Sequence, residues 1–275
     1  MLESERASFM TDKPFLVNTA PINRSPSRFF ALVFILSIPF YALGILAPQL
    51  GRLMPFGLPI SVLMILCPAG VALCLTYRDE GQSGVRRLLG RVFDYGIPNK
   101  IWLLLSLGIM PAAMLLSYVV QGLLEPSLPQ PVWSLSALIF GFAVYFFGAI
   151  GEELGWMGYA IDPLQSRYGF LTASVGLGVL WWLWHVIPYH VTGRSTEWII
   201  GHGFTTIMFR VFMVWIYNQA GRSVLTAILF HTMINLSVDA FGSYYDPVVT
   251  GFVLLGMSLL MFWWQAARSS SALKD

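Results

Sequence analysis

The chain has 275 residues, a net charge of +2 and a charged share of only 11%, against the roughly one quarter found in soluble domains. Hydrophobic residues make up 56% and aromatics 15%, which excludes an ordinary soluble globule. The charge is too small, and too little interleaved with aromatics, for a nucleic-acid surface. The apolar runs do not alternate as the strands of an outer-membrane barrel must.

In chain order, residues 1–28 form a polar tail holding Glu3, Glu5, Arg6, Asp12, Lys13 and Arg24, expected to be cytoplasmic and disordered. The apolar stretch after it is too long for a cleaved signal and reads as a retained first span. Hydropathy predicts eight transmembrane helices, at 29–50, 53–77, 101–123, 134–160, 170–190, 198–219, 222–241 and 247–266. The fold class is therefore all-α, a polytopic membrane protein with one transmembrane domain over 29–266 and a short cytoplasmic tail, 267–275. Cys67 and Cys74 sit in the second span about 10 Å apart along a helix, too far for a disulfide, and read as packing residues. Pro55, Pro59 and Pro68 predict kinks there. Between the second and third spans, Val85, Leu88, Leu89, Val92 and Phe93 recur at helical spacing among Arg78, Arg86, Arg87, Arg91 and Lys100. That pattern predicts an amphipathic helix on the membrane surface.

The basic residues set the expected orientation. With both termini inside, 13 of the 16 Lys and Arg fall on the cytoplasmic side, Arg52 and Arg194 outside, and Arg210 within a span. This asymmetry favours N-in and C-in, consistent with an even number of spans.

Ionisable groups inside spans are costly and mark function unless a structural pairing accounts for them. Glu152 and Glu153 lie in the fourth span in G-E-E-L-G-W-M-G-Y, His185 in the fifth in W-W-L-W-H, and His231 and Asn235 in the seventh in H-T-M-I-N. At 1.5 Å per residue, these groups fall about 14–22 Å from the cytoplasmic end, in one layer. A carboxylate, two imidazoles and a carboxamide at one depth supply a base for water and donors for an oxyanion, the two requirements of amide hydrolysis. Neighbouring glutamates diverge by about 100° on a helix, so Glu152 is assigned as the base and Glu153 as its structural neighbour. His190 and His202 read as interfacial residues, and Asp239 as a solvated cap.

This combination resembles the CAAX-protease and bacteriocin-processing family of intramembrane endopeptidases, whose pattern is E-E-x-x-x-R, F-x-x-x-H and H-x-x-x-N on three spans. Here E-E-L-G-W-M covers 152–157, W-W-L-W-H covers 181–185 with Trp181 in place of phenylalanine, and H-T-M-I-N covers 231–235. The resemblance extends over about 130–245. It implies an eight-helix fold with a cavity open to the cytoplasmic side, and water activated by Glu152 and His185 while His231 and Asn235 hold the oxyanion. Its partners would be membrane lipid and a membrane-associated or prenylated peptide, with no nucleic acid. The expected location is a bacterial or archaeal cytoplasmic membrane. The family chemistry accommodates either no cofactor or a divalent metal such as zinc on Glu152, His185 and His231, and these residues fit both equally well. Met157 stands where the pattern has arginine. Arg210 is the one candidate cation within the spans: either it pairs with one of the glutamates in place of that arginine, or it snorkels or bonds backbone carbonyls. Two other functions are compatible with the sequence: a catalytically silent scaffold or regulator, which Met157 favours, and an ion-coupled transporter, which lacks the expected paired halves.

Overall fold

The computed structural model describes residues 24–53 and 59–272; among these there are helices and connecting turns and no strand. Most of the expected tail 1–28, Pro55 and the last residues of the tail 267–275 lie outside the described residues. Eight helices are long and apolar enough to cross a membrane. They are α1 (Pro26–Leu46), α2 (Ile60–Phe93), α3 (Ile101–Leu124), α4 (Leu135–Tyr168), α5 (Phe170–Val191), α6 (Thr196–Gln219), α7 (Val224–Phe241) and α8 (Pro247–Ala272).

Serines set several of the starts. Ser25, Ser134 and Ser195 accept from the backbone N–H of Arg28, Ala137 and Trp198 at 3.4, 3.5 and 3.2 Å, satisfying donors that have no partner in the first turn. Pro26, which lacks an N–H, follows the first of these caps. The first helix therefore begins three residues before the hydropathy boundary. At the other end of the chain, α8 continues through the expected tail as far as Ala272.

The second span opens with a 3-10 segment, Ile60–Ile65, immediately after Pro59, and turns α-helical at Leu66. It does not stop at the hydropathy boundary of residue 77. The amphipathic segment is helical and continuous with α2 through Phe93, bent at Gly81, where φ is 66°. The fourth span is also longer than a bilayer needs: α4 runs 34 residues, about 50 Å of helix against about 30 Å of hydrocarbon. It contains a π-helical turn at Trp156–Ala160, directly after the two glutamates.

The face of α4 opposite those glutamates is consumed by close packing. A Cβ on Gly151 would lie 2.8 Å from the Ile65 carbonyl oxygen, and one on Gly155 would lie 2.5 Å from that of Pro68. Only hydrogen at these positions lets α2 and α4 meet backbone to backbone. With that face committed to α2, Glu152 and Glu153 turn toward α5, α6 and α7. The interior helices are α6 and α7, whose most apolar windows are 78% and 67% buried; they carry Arg210, His231 and Asn235. Outer helices present large apolar side chains such as Ile35, Ile38, Leu259 and Trp263, the surface expected against lipid.

The two ends of the bundle differ. Arg24, Arg28, Arg86, Arg87, Arg91, Lys100, Arg167 and Arg222 gather at the end formed by the α2–α3, α4–α5 and α6–α7 connections, whereas the opposite end has Arg52 and Arg194. At the basic end Arg91 donates to the Gly158 carbonyl at 2.7 Å, to the Tyr217 hydroxyl at 2.5 Å and to the Arg222 carbonyl at 3.1 Å. Tyr217 in turn donates to Asp162. Arg24 reaches the same Gly158 carbonyl at 3.0 Å and pairs with Glu80. The π-type partner of Gly158 would be Pro163, which has no N–H to give, and two guanidiniums take the carbonyl instead. Every residue from Gly151 to Ile161 is buried.

Candidate active site

Above that closed end, the adjacent glutamates of α4 face different neighbours. Glu153 is fully buried and bound on both oxygens: Arg210 donates to Oε2 at 2.6 Å and to Oε1 at 2.9 Å, and Nδ1 of His231 lies 2.7 Å from Oε1. Arg210 is itself fully buried, and its guanidinium lies 4.0 Å from the Trp181 ring centroid. Glu152 points into a cavity of about 720 Å³, where the indole N–H of Trp181 donates to its Oε2 at 2.7 Å. Trp181 therefore contacts both carboxylate systems, with its face to the cation paired with Glu153 and its N–H to Glu152.

His185, one turn after Trp181, shares the cavity. Its Nδ1 lies 2.9 Å from the Trp181 carbonyl; a carbonyl only accepts, so Nδ1 carries the proton and Nε2 is left with a lone pair. The ring stacks on Tyr189 at 5.5 Å between centroids and meets Trp184 edge-on at 4.7 Å. From α7, His231 lies edge-on to Trp181 at 5.0 Å. Asn235, one turn further on, lines the same cavity. Three helices thus bring Glu152, His185, His231 and Asn235 around one space, with Glu153 and Arg210 behind its wall.

Comparison with known proteins supplies the remaining observation. Residues 132–237 match the family model described as type II CAAX prenyl endopeptidase Rce1-like, a stretch that contains all six of these residues. Over this stretch the chain is similar to the CAAX-protease family. A relative from Methanococcus maripaludis named CAAX prenyl protease 2 is 26% identical, over 70% of this chain and 76% of the relative. The family match and the relative indicate an enzyme, a protease of the CAAX type, and the eight apolar helices make it a multi-pass membrane protein.

Relative to the CAAX-protease pattern, Met157 is buried in the π turn, and the cation at the glutamate pair comes from α6 as Arg210. The metal set read from the sequence, Glu152, His185 and His231, is not the compact one. One ligating atom each of Glu152, Glu153 and His231 lies within 4.8 Å of the others, while Nδ1 of His185 is turned to its own helix. Both oxygens of Glu153 are already held by a guanidinium, and one also by His231. A divalent ion would compete with Arg210 for the same carboxylate, so these residues fit a metal poorly.

One expectation is corrected. His202 is not interfacial: it is buried on α6, bracketed by the Tyr189 hydroxyl at 2.9 Å on Nε2 and the Tyr245 hydroxyl at 2.6 Å on Nδ1, and it lines the cavity. Burial holds the Tyr245 phenol well above the usual tyrosine range, so it stays neutral. The cavity rises past Tyr189 to Thr192, Gly193, Arg194 and Gly242, the end opposite the basic one. Asp239 is exposed at this mouth, where it bonds Tyr145, and His190 is exposed near the end of α5.

Proposed function

We propose that this protein hydrolyses a peptide bond in a membrane-associated or lipidated peptide by direct attack of a water held between Glu152 and His185. The observation that carries the reading is the division of labour between adjacent glutamates: Glu153 is neutralised by Arg210, while Glu152 faces the cavity with one oxygen fixed by Trp181 and the other free.

In this reading the water gives one hydrogen bond to the free oxygen of Glu152 and the other to Nε2 of His185. As its oxygen bonds to the peptide carbonyl carbon, the proton passes to Glu152 and the carbonyl oxygen becomes an oxyanion. His231, its Nδ1 fixed by Glu153, and Asn235 line the space that oxyanion enters, where the Asn235 amide N–H donates to it. The C–N bond then breaks, Glu152 returns its proton to the leaving amine, and the products are a carboxylic acid and an amine. Trp181 fixes the rotamer of Glu152, and Tyr189 and Trp184 fix the ring of His185, so the reacting groups are positioned before substrate arrives. No metal enters the cycle.

The test is cleavage of a lipid-anchored, internally quenched peptide library by the purified protein in nanodiscs, with products read by mass spectrometry. Wild type cuts at a defined bond, and His185→Ala lowers kcat about 100-fold or more, the usual worth of a positioned acid–base group. Folded wild-type protein that cuts no member, or cuts as fast without His185, would overturn the reading.

A further inference from the structure

His202 is a buried polar residue with no part in the hydrolysis as proposed, yet it stands behind the ring that holds His185. The inference rests on the protease reading and adds to it a residue that acts through another. The last turn of α5 is weakened where it meets the site. Pro188 has no N–H to return to the Trp184 carbonyl, and the Tyr41 hydroxyl of α1 donates to that carbonyl instead, at 2.7 Å. Tyr189 follows the proline directly. Its ring stacks on His185 with 5.5 Å between centroids and 21° between planes, and the turn that carries it lacks one rung of the helical ladder. What holds the ring comes from α6. Nε2 of His202 meets the Tyr189 hydroxyl at 2.9 Å, and Nδ1 meets the Tyr245 hydroxyl at 2.6 Å. A neutral imidazole has one donor and one acceptor, and a hydroxyl can complement either, so both nitrogens are satisfied. The imidazole plane is fixed in turn. Trp198 stacks on it at 4.5 Å with 15° between planes, and Arg194 lies over the Trp198 ring at 4.7 Å. The rings of Trp198, His202, Tyr189 and His185 therefore form one column along the cavity wall, ending on the group that holds the water.

We propose that His202 is a positioning residue for peptide hydrolysis: it holds the Tyr189 hydroxyl, and through the Tyr189 ring it keeps the His185 imidazole in the orientation that presents Nε2 to the attacking water. Its effect passes through Tyr189 and not through the reacting atoms. The geometry gives this role a chemical signature. A glutamine at 202 places its amide close to the position of Nε2, whereas an asparagine places it close to that of Nδ1. His202→Gln therefore keeps a partner for Tyr189 and gives up Tyr245, and His202→Asn does the reverse. Tyr189→Phe keeps the ring and its packing but removes the oxygen that His202 holds. A residue that only filled space would leave the rate of Tyr189→Phe at the wild-type value.

The test measures kcat, KM and the thermal midpoint of wild type, His202→Gln, His202→Asn and Tyr189→Phe in nanodiscs with the quenched lipid-anchored peptide. His202→Asn and Tyr189→Phe are expected to lower kcat about 10- to 100-fold with KM unchanged, the range for a reacting group displaced by a change outside the chemistry. His202→Gln is expected to stay within about threefold of wild type, because the link to Tyr189 survives. Combining His202→Asn with Tyr189→Phe should cost no more than either alone, since both break the same link. Wild-type kcat in Tyr189→Phe, equal losses in the two amide variants, or additive losses in the double variant would overturn the proposal. Should His202→Asn fail to accumulate, Tyr189→Phe against His202→Gln carries the same comparison. A second measurement needs no activity. The chain has four histidines, so the nitrogen-15 signals of His185 can be assigned by their loss in His185→Ala. Its two ring nitrogens give separate protonated and unprotonated signals while Nδ1–H stays on the Trp181 carbonyl. The signals should stay apart in wild type and His202→Gln and merge by exchange in His202→Asn and Tyr189→Phe. Signals that stay apart in every variant would overturn the proposal, whether or not the protein cuts peptide. Wild type that cuts no peptide while the variants show the merging would count against the protease reading alone.

Discussion

Arg210 is the residue on which the arrangement of the site depends most. It is fully buried, and its charge is balanced by Glu153 at 2.6 and 2.9 Å. Removing one partner of such a pair leaves an uncompensated buried charge, so Arg210→Met should cost about 3–5 kcal/mol of stability. The thermal midpoint in nanodiscs measures this, and the double change Glu153→Gln with Arg210→Met should recover more than half of the loss. An Arg210→Met protein as stable as wild type would show that the pair is dispensable. Trp181 carries a different kind of prediction. Trp181→Phe keeps the ring but removes the 2.7 Å bond to Glu152, and losing one hydrogen bond to a reacting carboxylate should lower kcat about tenfold with KM unchanged. Equal kcat would remove Trp181 from the site. Sequence reasoning located the glutamates, both histidines and Asn235 because ionisable and amide groups stand out in apolar spans. It placed Trp181 only at the phenylalanine position of the second motif, since an indole in such a span reads as packing, and it took His202 as interfacial, because the partners Tyr189 and Tyr245 come from 13 and 43 residues away.

At the scale of elements, the contact between α2 and α4 sets the azimuth of the glutamates. Gly155→Ala would place a methyl carbon 2.5 Å from the Pro68 carbonyl oxygen, a clash with backbone that no rotamer relieves. The expected cost is about 1–3 kcal/mol, in the range of overpacking. Gly148→Ala, where the nearest atom would be a side-chain methyl at 3.9 Å, should stay within about 0.5 kcal/mol of wild type. Equal thermal midpoints for the two variants would contradict the close-packing argument. The existence of all eight helices was legible in hydropathy because each span must be apolar for some twenty residues. Their ends were less legible. Serine caps moved the start of α1 back to Pro26, and Arg91, read as part of a solvated face, instead anchors the end of α2 to Gly158 and Tyr217. The direction in which Glu152 and Glu153 point was legible only as a 100° divergence; which one faces Arg210 depends on the glycine face of α4, which hydropathy does not register.

For the whole molecule, a buried cluster of Glu153, Arg210 and His231 supports a cavity that reaches Thr192, Gly193, Arg194 and Gly242 at the end opposite the basic one. The central claim is that the carboxylate of Glu152 takes the proton of the attacking water without a metal. Its most direct measurement is single-turnover cleavage of a quenched peptide by purified protein in nanodiscs, comparing wild type with Glu152→Gln, each with and without a strong chelator. Glutamine keeps the size of the side chain and an oxygen that can accept from the Trp181 N–H, but it cannot take a proton from water. The account predicts a loss of at least about 1,000-fold in Glu152→Gln with the thermal midpoint preserved, together with wild-type cleavage unchanged by chelator. Cleavage that survives in Glu152→Gln, or that chelator abolishes and zinc restores in wild type, would contradict it.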